Sequence, residues 1–318
     1  MRKMTLIVLS ILGVSVAKAQ NTEKEIIEKT AKAAAKTHDT LGMGWKKTGN
    51  LIFLFNQSAF NYDWRGGGTS SIAGNTTLNY DFNYKSSILV WDNKIFTAYG
   101  LTKLKDQDIT KSDDRFEFTS ILGRRAGEAY WYYSAFLNLK TQMDSGFKKE
   151  KYTINDNGTP LDPSDDLIGE RDVKISHFFS PAYLQAGPGM LWKKSDNLKV
   201  NIAPATSRFI FIHKHFTDFG SAFGVDQGET MRFEFGAALN AYYKLSIMEN
   251  ISMENILNLY ANYLEKPQNI DIDYQLNVVM KINKYISTNF AFQAIYDDNA
   301  VGAFQIREVF GLGVNYGF

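Results

Sequence analysis

The sequence predicts an exported all-β protein, a transmembrane antiparallel up-and-down β-barrel of about twelve strands preceded by a short helical segment. Three observations point there: a secretory leader, apolar and polar residues alternating by twos over stretches well past ten residues, and tight connections alternating with longer ones.

The chain opens MRKMTLIVLSILGVSVAKAQ. Arg2 and Lys3 precede an apolar run from Met4 to Val16, and Ala17-Lys18-Ala19 supplies a small-x-small cleavage site, so residues 1–19 read as a signal peptide. That run is too short to span a bilayer, and no later segment is long and uncharged enough to do so as a helix. Residues 20–44, rich in Ala, Lys and Glu, read as a helical or flexible periplasmic segment with Gly42 as a stop; it either hangs free or enters the lumen as a plug. Residues 45–318 form the barrel. The 318 residues contain no cysteine, which removes disulfides, thiolate metal sites and cysteine nucleophiles. Lys plus Arg (35) nearly cancel Asp plus Glu (34), so the overall charge does not favour nucleic acid. No cofactor is called for.

The strands fall near 48–60, 70–84, 89–103, 114–124, 129–143, 176–193, 198–213, 230–248, 251–264, 270–283, 286–297 and 305–318. The second sets Ile72, Thr76, Leu78, Tyr80, Phe82 and Tyr84 against Asn75, Thr77, Asn79, Asp81 and Asn83. The eighth sets Met231, Phe233, Phe235 and Leu239 against Arg232, Glu234, Asn240 and Lys244. In the tenth, Ile272, Tyr274, Leu276 and Val278 oppose Asp271, Asp273, Gln275, Asn277 and Lys281. Successive side chains of a strand point to opposite faces, so such runs separate two unlike environments. Strands of a soluble sandwich usually stop at five or six residues. These run further, as in a tilted barrel with lipid outside and a polar lumen inside.

Connections after the even strands are tight, for example Lys85-Ser86-Ser87, Glu249-Asn250 and Lys284-Tyr285. Those after odd strands are mostly longer, including Lys105 to Asp113, Asp144 to Ile175 and Lys214 to Thr230. Short periplasmic turns and long external loops put both termini in the periplasm. Trp45, Trp91, Trp131 and Trp192 all fall at periplasmic strand ends, where an amphipathic ring sits in an interfacial girdle. The last strand ends FGLGVNYGF: Phe310, Leu312, Val314, Tyr316 and Phe318 face lipid, and the terminal aromatic resembles the insertion signal of outer-membrane barrels. Gly311, Gly313 and Gly317 then face the lumen and leave space where the last strand meets the first.

Four stretches, NQSAFNYDWRGGG (56–68), KSDDRFEF (111–118), ISHFFSPAYLQAGPGM (175–190) and NIAPATSRF (201–209), resemble in order the motifs of a bacterial outer-membrane family catalogued only as a domain of unknown function. Asp63 replaces the asparagine expected before Trp64. The resemblance spans almost the whole mature chain and implies a membrane β-barrel. It supplies no activity and no catalytic residues.

Candidate chemistry is sparse. His177, His213 and His215, with Asp218 nearby, are the one cluster that could converge on a metal, against rim histidines without one. A lipid hydrolase needs an aligned serine and histidine, but Ser176 and His177, adjacent on a strand, face opposite ways; Ser207 with His213 or His177 stays open. Asn155 to Asp166 reads as a solvated acidic loop or a calcium loop, although Thr153 and Ser164 stand where acidic ligands belong. Arg65 and the three glycines after it suit a hairpin turn better than an anion cradle.

The informative residues are the inward ones: Asn75, Asn79, Asp81, Arg115, Glu117, Arg232, Glu234, Lys244, Asp271, Asp273 and Lys281. Their mixed signs argue against a strongly ion-selective tunnel. A lumen of twelve strands lies between a filled interior and an open channel, so side-chain bulk decides. The expectation is a non-enzymatic outer-membrane barrel of a Gram-negative bacterium, a narrow passive pore or binding channel for a small polar solute. Its other partners are outer-membrane lipid and the barrel-assembly machinery. The alternative is a closed structural or assembly barrel with loop 144–175 as its contact surface.

Overall fold

The computed structural model describes residues 43–61, 63, 69–127, 130–155, 167–300 and 302–318. The leader, nearly all of the 20–44 segment, Trp64, the glycine run after Arg65 and most of the acidic 155–166 loop lie outside the described residues. Fourteen strands are described: β1 (Gly44–Ser58), β2 (Ser71–Lys85), β3 (Leu89–Leu104), β4 (Ile109–Arg125), β5 (Trp131–Thr141), β6 (Gly146–Asn155), β7 (Leu167–Ser176), β8 (Ala182–Ser195), β9 (Leu198–Phe211), β10 (Met231–Met248), β11 (Ile251–Asn262), β12 (Ile270–Lys281), β13 (Ile286–Tyr296) and β14 (Gln305–Gly317).

Twelve of them close one antiparallel barrel in sequence order, with β6 and β7 set aside as a separate hairpin between β5 and β8. Closure is by β1 and β14, from Asn50 opposite Gly317 to Phe55 opposite Leu312. A closed ring pairs the backbone polar groups of every strand on both sides, so no edge is left bare. The outward residues Phe310, Leu312, Val314 and Tyr316 of β14 and the following Phe318 are each more than half exposed, and Phe53 and Phe55 of β1 continue that apolar exterior. Inward residues alternate with them and are buried, most regularly on β5, where Tyr132, Ser134, Phe136 and Asn138 point in and Trp131, Tyr133 and Leu137 point out. The four girdle tryptophans sit at one end of the barrel: Trp45 lies 5.6 Å from Trp91 and Trp131 is registered opposite Trp192.

The structure corrects the sequence reading at four points. β4 begins at Ile109, so the long loop expected over 105–113 is a short turn of residues 105–108. The expected 144–175 loop carries the β6–β7 hairpin. The sixth barrel strand starts at Ala182, because His177 and Ser180 exchange backbone hydrogen bonds (3.0 Å each) in a tight turn that ends in a cis Ser180-Pro181 bond. The seventh ends at Phe211, so His213 and His215 leave the sheet for a 3-10 turn, Lys214–Phe216.

Two of the motif stretches meet across β8 and β9 and explain one another. Along β9, Lys199, Asn201 and Ala203 point inward, but Thr206, Arg208 and Ile210 also do, because the register slips around Pro204 and Ala205. Such a bulge flips the side-chain phase by one residue. The bulge presses on β8, where a Cβ on Gly187 would lie 2.5 Å from the Ala205 carbonyl oxygen and one on Gly189 would strike that of Ile202. Glycine at both positions is what lets the two backbones approach. A polar interior is thereby given Arg208, which strict alternation counted from Lys199 would put in lipid.

The space expected at the closing seam is also filled. A Cβ on Gly313 would meet Leu54 Cδ2 at 2.7 Å and Asn289 Nδ2 at 2.9 Å, so enlarging this residue disturbs seam packing before it narrows the lumen. Outside the seam the ring of Phe318 covers Gly49, stacks on Tyr80 at 6.1 Å and on Tyr316 at 6.1 Å, and its backbone exchanges two hydrogen bonds with Gly49 (2.7 and 3.0 Å).

Candidate functional site: the barrel lumen

A charged side chain on an inward face must find a partner across the bore or remain hydrated, since burying it alone is costly. Here the charges find partners, in layers. At the end bearing the tight turns, Asp92 of β3, only 4% exposed, accepts hydrogen bonds from Lys193 Nζ of β8 (2.7 and 3.0 Å) and Lys199 Nζ of β9 (2.8 Å).

The next layer crosses the full bore. Lys94 of β3 and Glu254 of β11 form an ion pair at 3.2 Å, and these strands stand six places apart in the ring of twelve. Asp81 lies 3.6 Å from the same ammonium. Glu254 also accepts from Tyr242 Oη (2.8 Å) and Asn277 Nδ2 (3.3 Å), while Lys94 and Lys199 both stand over the Tyr242 ring, 5.8 and 5.3 Å from its centre.

Above it, Arg115 pairs with Glu117 and donates to Gln293 Oε1 at 3.0 Å, and Lys140 pairs with Asp273. Asn138 Nδ2 donates to Glu117 (2.9 Å) and Gln293 Nε2 to Asp273 (2.8 Å), so one connected network joins β4, β5, β12 and β13. Toward the loop end, Arg208 gathers Asp271, Asp297 (2.8 Å) and Glu234 (3.5 Å) over the rings of Tyr183 and Tyr260. Arg232 joins Glu234 to Glu265 (2.8 Å each) and donates to the Gly224 carbonyl at 2.8 Å, which ties the segment between β9 and β10 to the barrel wall. Val225 and Thr217 of that segment are fully buried.

The KSDDRFEF stretch supplies the rim as well as the network. Asp113 accepts from Asn75 Nδ2 (2.7 Å) and pairs with Arg307. Asp114 pairs with Lys111 (2.5 Å) and accepts from the backbone N–H groups of Met143 (2.8 Å) and Asp144 (2.9 Å), anchoring the base of the hairpin. Tyr99 Oη donates to Asp144 at 2.9 Å; that bond, then the Ser145 backbone N–H, holds the exposed Asp144 carboxyl below the ordinary carboxylate range.

One sector of the interior is apolar, with Val90, Ile121, Tyr132, Phe136 and Leu191 packed together. The polar bore is therefore off-centre. It keeps two cavities of about 250 and 170 Å³ that share Asp81, Lys94, Phe96, Lys244 and Glu254 in their walls. The Lys94–Glu254 pair, which crosses the bore, lines both.

Asn75, Asn79, Asp81, Arg115, Glu117, Arg232, Glu234, Lys244, Asp271 and Asp273 all stand in these networks or cavity walls. Lys281 does not: it is exposed at the end of β12, where its backbone N–H bonds the Asn250 carbonyl at 2.8 Å. Sequence reasoning missed Asp92, Lys94, Lys140, Arg208 and Glu254. Asp92 and Lys94 share their inward face with Val90, Phe96 and Ala98, and Glu254 shares its face with Ile256 and Tyr260, so neither strand announces which side is polar.

The histidines do not converge. His177 and His213 rings lie 6.0 Å apart, while His215 turns against Phe216 (5.4 Å) and donates its backbone N–H to His213 Nδ1 (3.2 Å). Among the described residues no group of three or more His, Asp or Glu is placed to hold a metal ion. Nor, among them, does a serine hydroxyl bond a histidine ring; Ser180 Oγ takes the backbone N–H of His213 at 2.8 Å.

Residues 55–147 match the model of a family described as protein of unknown function (DUF3078). The match covers two of the four motif stretches, those at 56–68 and 111–118, and stops before the other two. No curated protein matches the chain. Among solved structures the chain is similar to the translocator domain of the autotransporter NalP from Neisseria meningitidis, at 9% identity and a TM-score of 0.37, covering 95% of this chain and 98% of that one. It is also similar to an outer membrane channel from Pseudomonas putida F1 (12%, 0.37, 88% and 97%) and to the Ralstonia pickettii toluene transporter TbuX (10%, 0.32, 87% and 90%). None of these overlays is close enough to carry an activity across.

Proposed function

We propose that the chain is an outer-membrane barrel that admits a small polar solute to a narrow, off-centre lumen, with the ion pairs across the bore as its constriction. The carrying observation is two cavities with amide and charged side chains in their walls, both lined by Lys94 and Glu254, inside a barrel whose exterior is apolar. An apolar outside and a hydrogen-bonding inside suit a sheet with lipid on one face and water on the other. The alternation of tight and longer connections favours a periplasmic position for the tight turns, and the larger cavity reaches Asp196 and Asn197 in the β8–β9 turn at that end. Reconstitution into planar bilayers tests the reading: the expected result is a small, resolvable conductance step, with solute uptake in liposome swelling. A barrel that inserts but gives neither is not a channel.

A second reading has its own observation. The β6–β7 hairpin stands outside the ring and exposes Phe147, Tyr152, Ile168 and Ile175 among charged residues. That favours a closed barrel with the hairpin as partner surface, and crosslinking in intact cells should then trap a discrete protein that trimming the hairpin abolishes.

A further inference from the structure

We infer that the larger cavity is a binding site for a small uncharged polyhydroxylated solute of monosaccharide size. This rests on the channel reading in that the solute must reach the lumen, and it adds the chemical class that the lumen holds.

Charge is the first argument. The ammonium groups that line the cavity are largely cancelled within its own wall: Lys94 by Glu254 and Asp81, and Lys199 by Asp92. Of the carboxylates, Asp81 and Glu254 are met by Lys94, Asp92 by Lys199, Glu117 by Arg115, and Asp196 by Lys193 at 3.0 Å. A cationic solute would have to break a wall pair to be neutralised, and leaving one partner of a buried pair alone is costly; for an anion, Lys244 is the one lining lysine without a direct ion pair among the described residues. A neutral one meets no such penalty.

The second argument is what remains unpaired. Eight asparagines line the cavity. A side-chain amide offers a donor and an acceptor without charge, and a hydroxyl matches both. Asn79, Asn197 and Thr48 make no side-chain hydrogen bond among the described residues. In the same wall Asn79 Oδ1 and Asn258 Nδ2 are closed off from solvent yet unbonded, one an acceptor and one a donor. An unpaired buried atom carries a desolvation cost, which a turn of its amide into the cavity relieves once a hydroxyl is there to meet it. A solute carrying several hydroxyls satisfies an acceptor and a donor in one molecule, which a monatomic ion cannot do.

The test uses the full mature chain in detergent micelles and isothermal titration with D-glucose, gluconate and glucosamine, three molecules of one size and three charges. The expected result is saturable binding of glucose with weaker or no binding of the two ions. Asn79→Ala should weaken glucose about three- to tenfold, the loss of one to two hydrogen bonds, while Asn56→Ala, outside the cavity, leaves it unchanged. Gluconate binding more tightly than glucose would make Lys244, which has no direct ion pair among the described residues, the recognition group and overturn the inference. Conductance without glucose binding removes the site and leaves the channel standing. Glucose binding in a barrel without conductance keeps the site and removes the channel.

Discussion

Replacing Lys94 by Ala should hurt the barrel more than replacing its partner Glu254 by Ala. Both side chains are mostly buried, at 21% and 15% exposure, and they meet at 3.2 Å across the bore. Removing one partner of a fully buried pair costs about 3–5 kcal/mol, because the other charge stays behind without compensation. The residual exposure and the adjoining cavities lower that figure. In Glu254→Ala the ammonium of Lys94 keeps Asp81 at 3.6 Å, so the cost falls to about 1–2 kcal/mol. In Lys94→Ala the Glu254 carboxylate keeps two neutral donors, Tyr242 Oη and Asn277 Nδ2, and loses its direct cation, for about 2–3 kcal/mol. Both changes cut back a side chain that lines both the 250 and 170 Å³ cavities and should raise single-channel conductance. The exchange Lys94→Glu with Glu254→Lys restores a pair and should return conductance toward the parent value. Urea unfolding of the refolded barrel reads the energies, and planar bilayers read the bore. Equal costs for the two single changes would refute the compensating role of Asp81, and an unaltered conductance in both would refute the idea that this pair divides the lumen.

Three further outcomes follow from the packing. Gly187→Ala should lower stability by about 1–3 kcal/mol, the range for overpacking, because its Cβ meets the backbone of the β9 bulge and cannot be relieved by a side-chain swing; Gly127→Ala, with open space around it, is the comparison, and equal urea midpoints would contradict the bulge argument. Deleting Phe318 should slow insertion into lipid vesicles and remove an aromatic stack worth about 0.5–1.5 kcal/mol, and Gly49→Ala should reproduce part of that loss by pushing the ring off the seam; folding kinetics on gels, where the compact barrel migrates faster, decide it. The depressed Asp144 carboxyl stabilises its rim contact above the ordinary carboxylate range and loses it as pH falls through its own lower value, so hydrogen exchange at the hairpin base should quicken only on strong acidification, and in Tyr99→Phe that onset should move to higher pH.

How much of this could be read from the chain depends on how cleanly each strand separates its two faces. β2, β10 and β12 put amides and charges on one side and aromatics or aliphatics on the other, and their inward residues follow from alternation alone, save Lys281, which the end of β12 leaves exposed. β3 and β11 mix both kinds inward, because one sector of the interior is packed with apolar side chains, and there the two halves of the crossing ion pair went unseen. β9 hides Arg208 for another reason, since the slip at Pro204 and Ala205 changes phase midway along an otherwise regular strand. The glycines of AGPGM on β8 were the visible trace of that slip, but a glycine in a strand signals close approach without saying to what. The β6–β7 hairpin was lost inside a long polar segment because it buries no apolar face, and alternation is legible only where the two sides of a strand meet different surroundings. The motif stretches lie elsewhere than the long alternating runs: KSDDRFEF, AGPGM and NIAPATSRF sit where the sheet departs from regularity or where charges cross the bore. A functional claim about this lumen therefore rests on residues that only the closed ring brings together, Lys94 with Glu254 and Arg115 with Gln293, from strands six and five places apart.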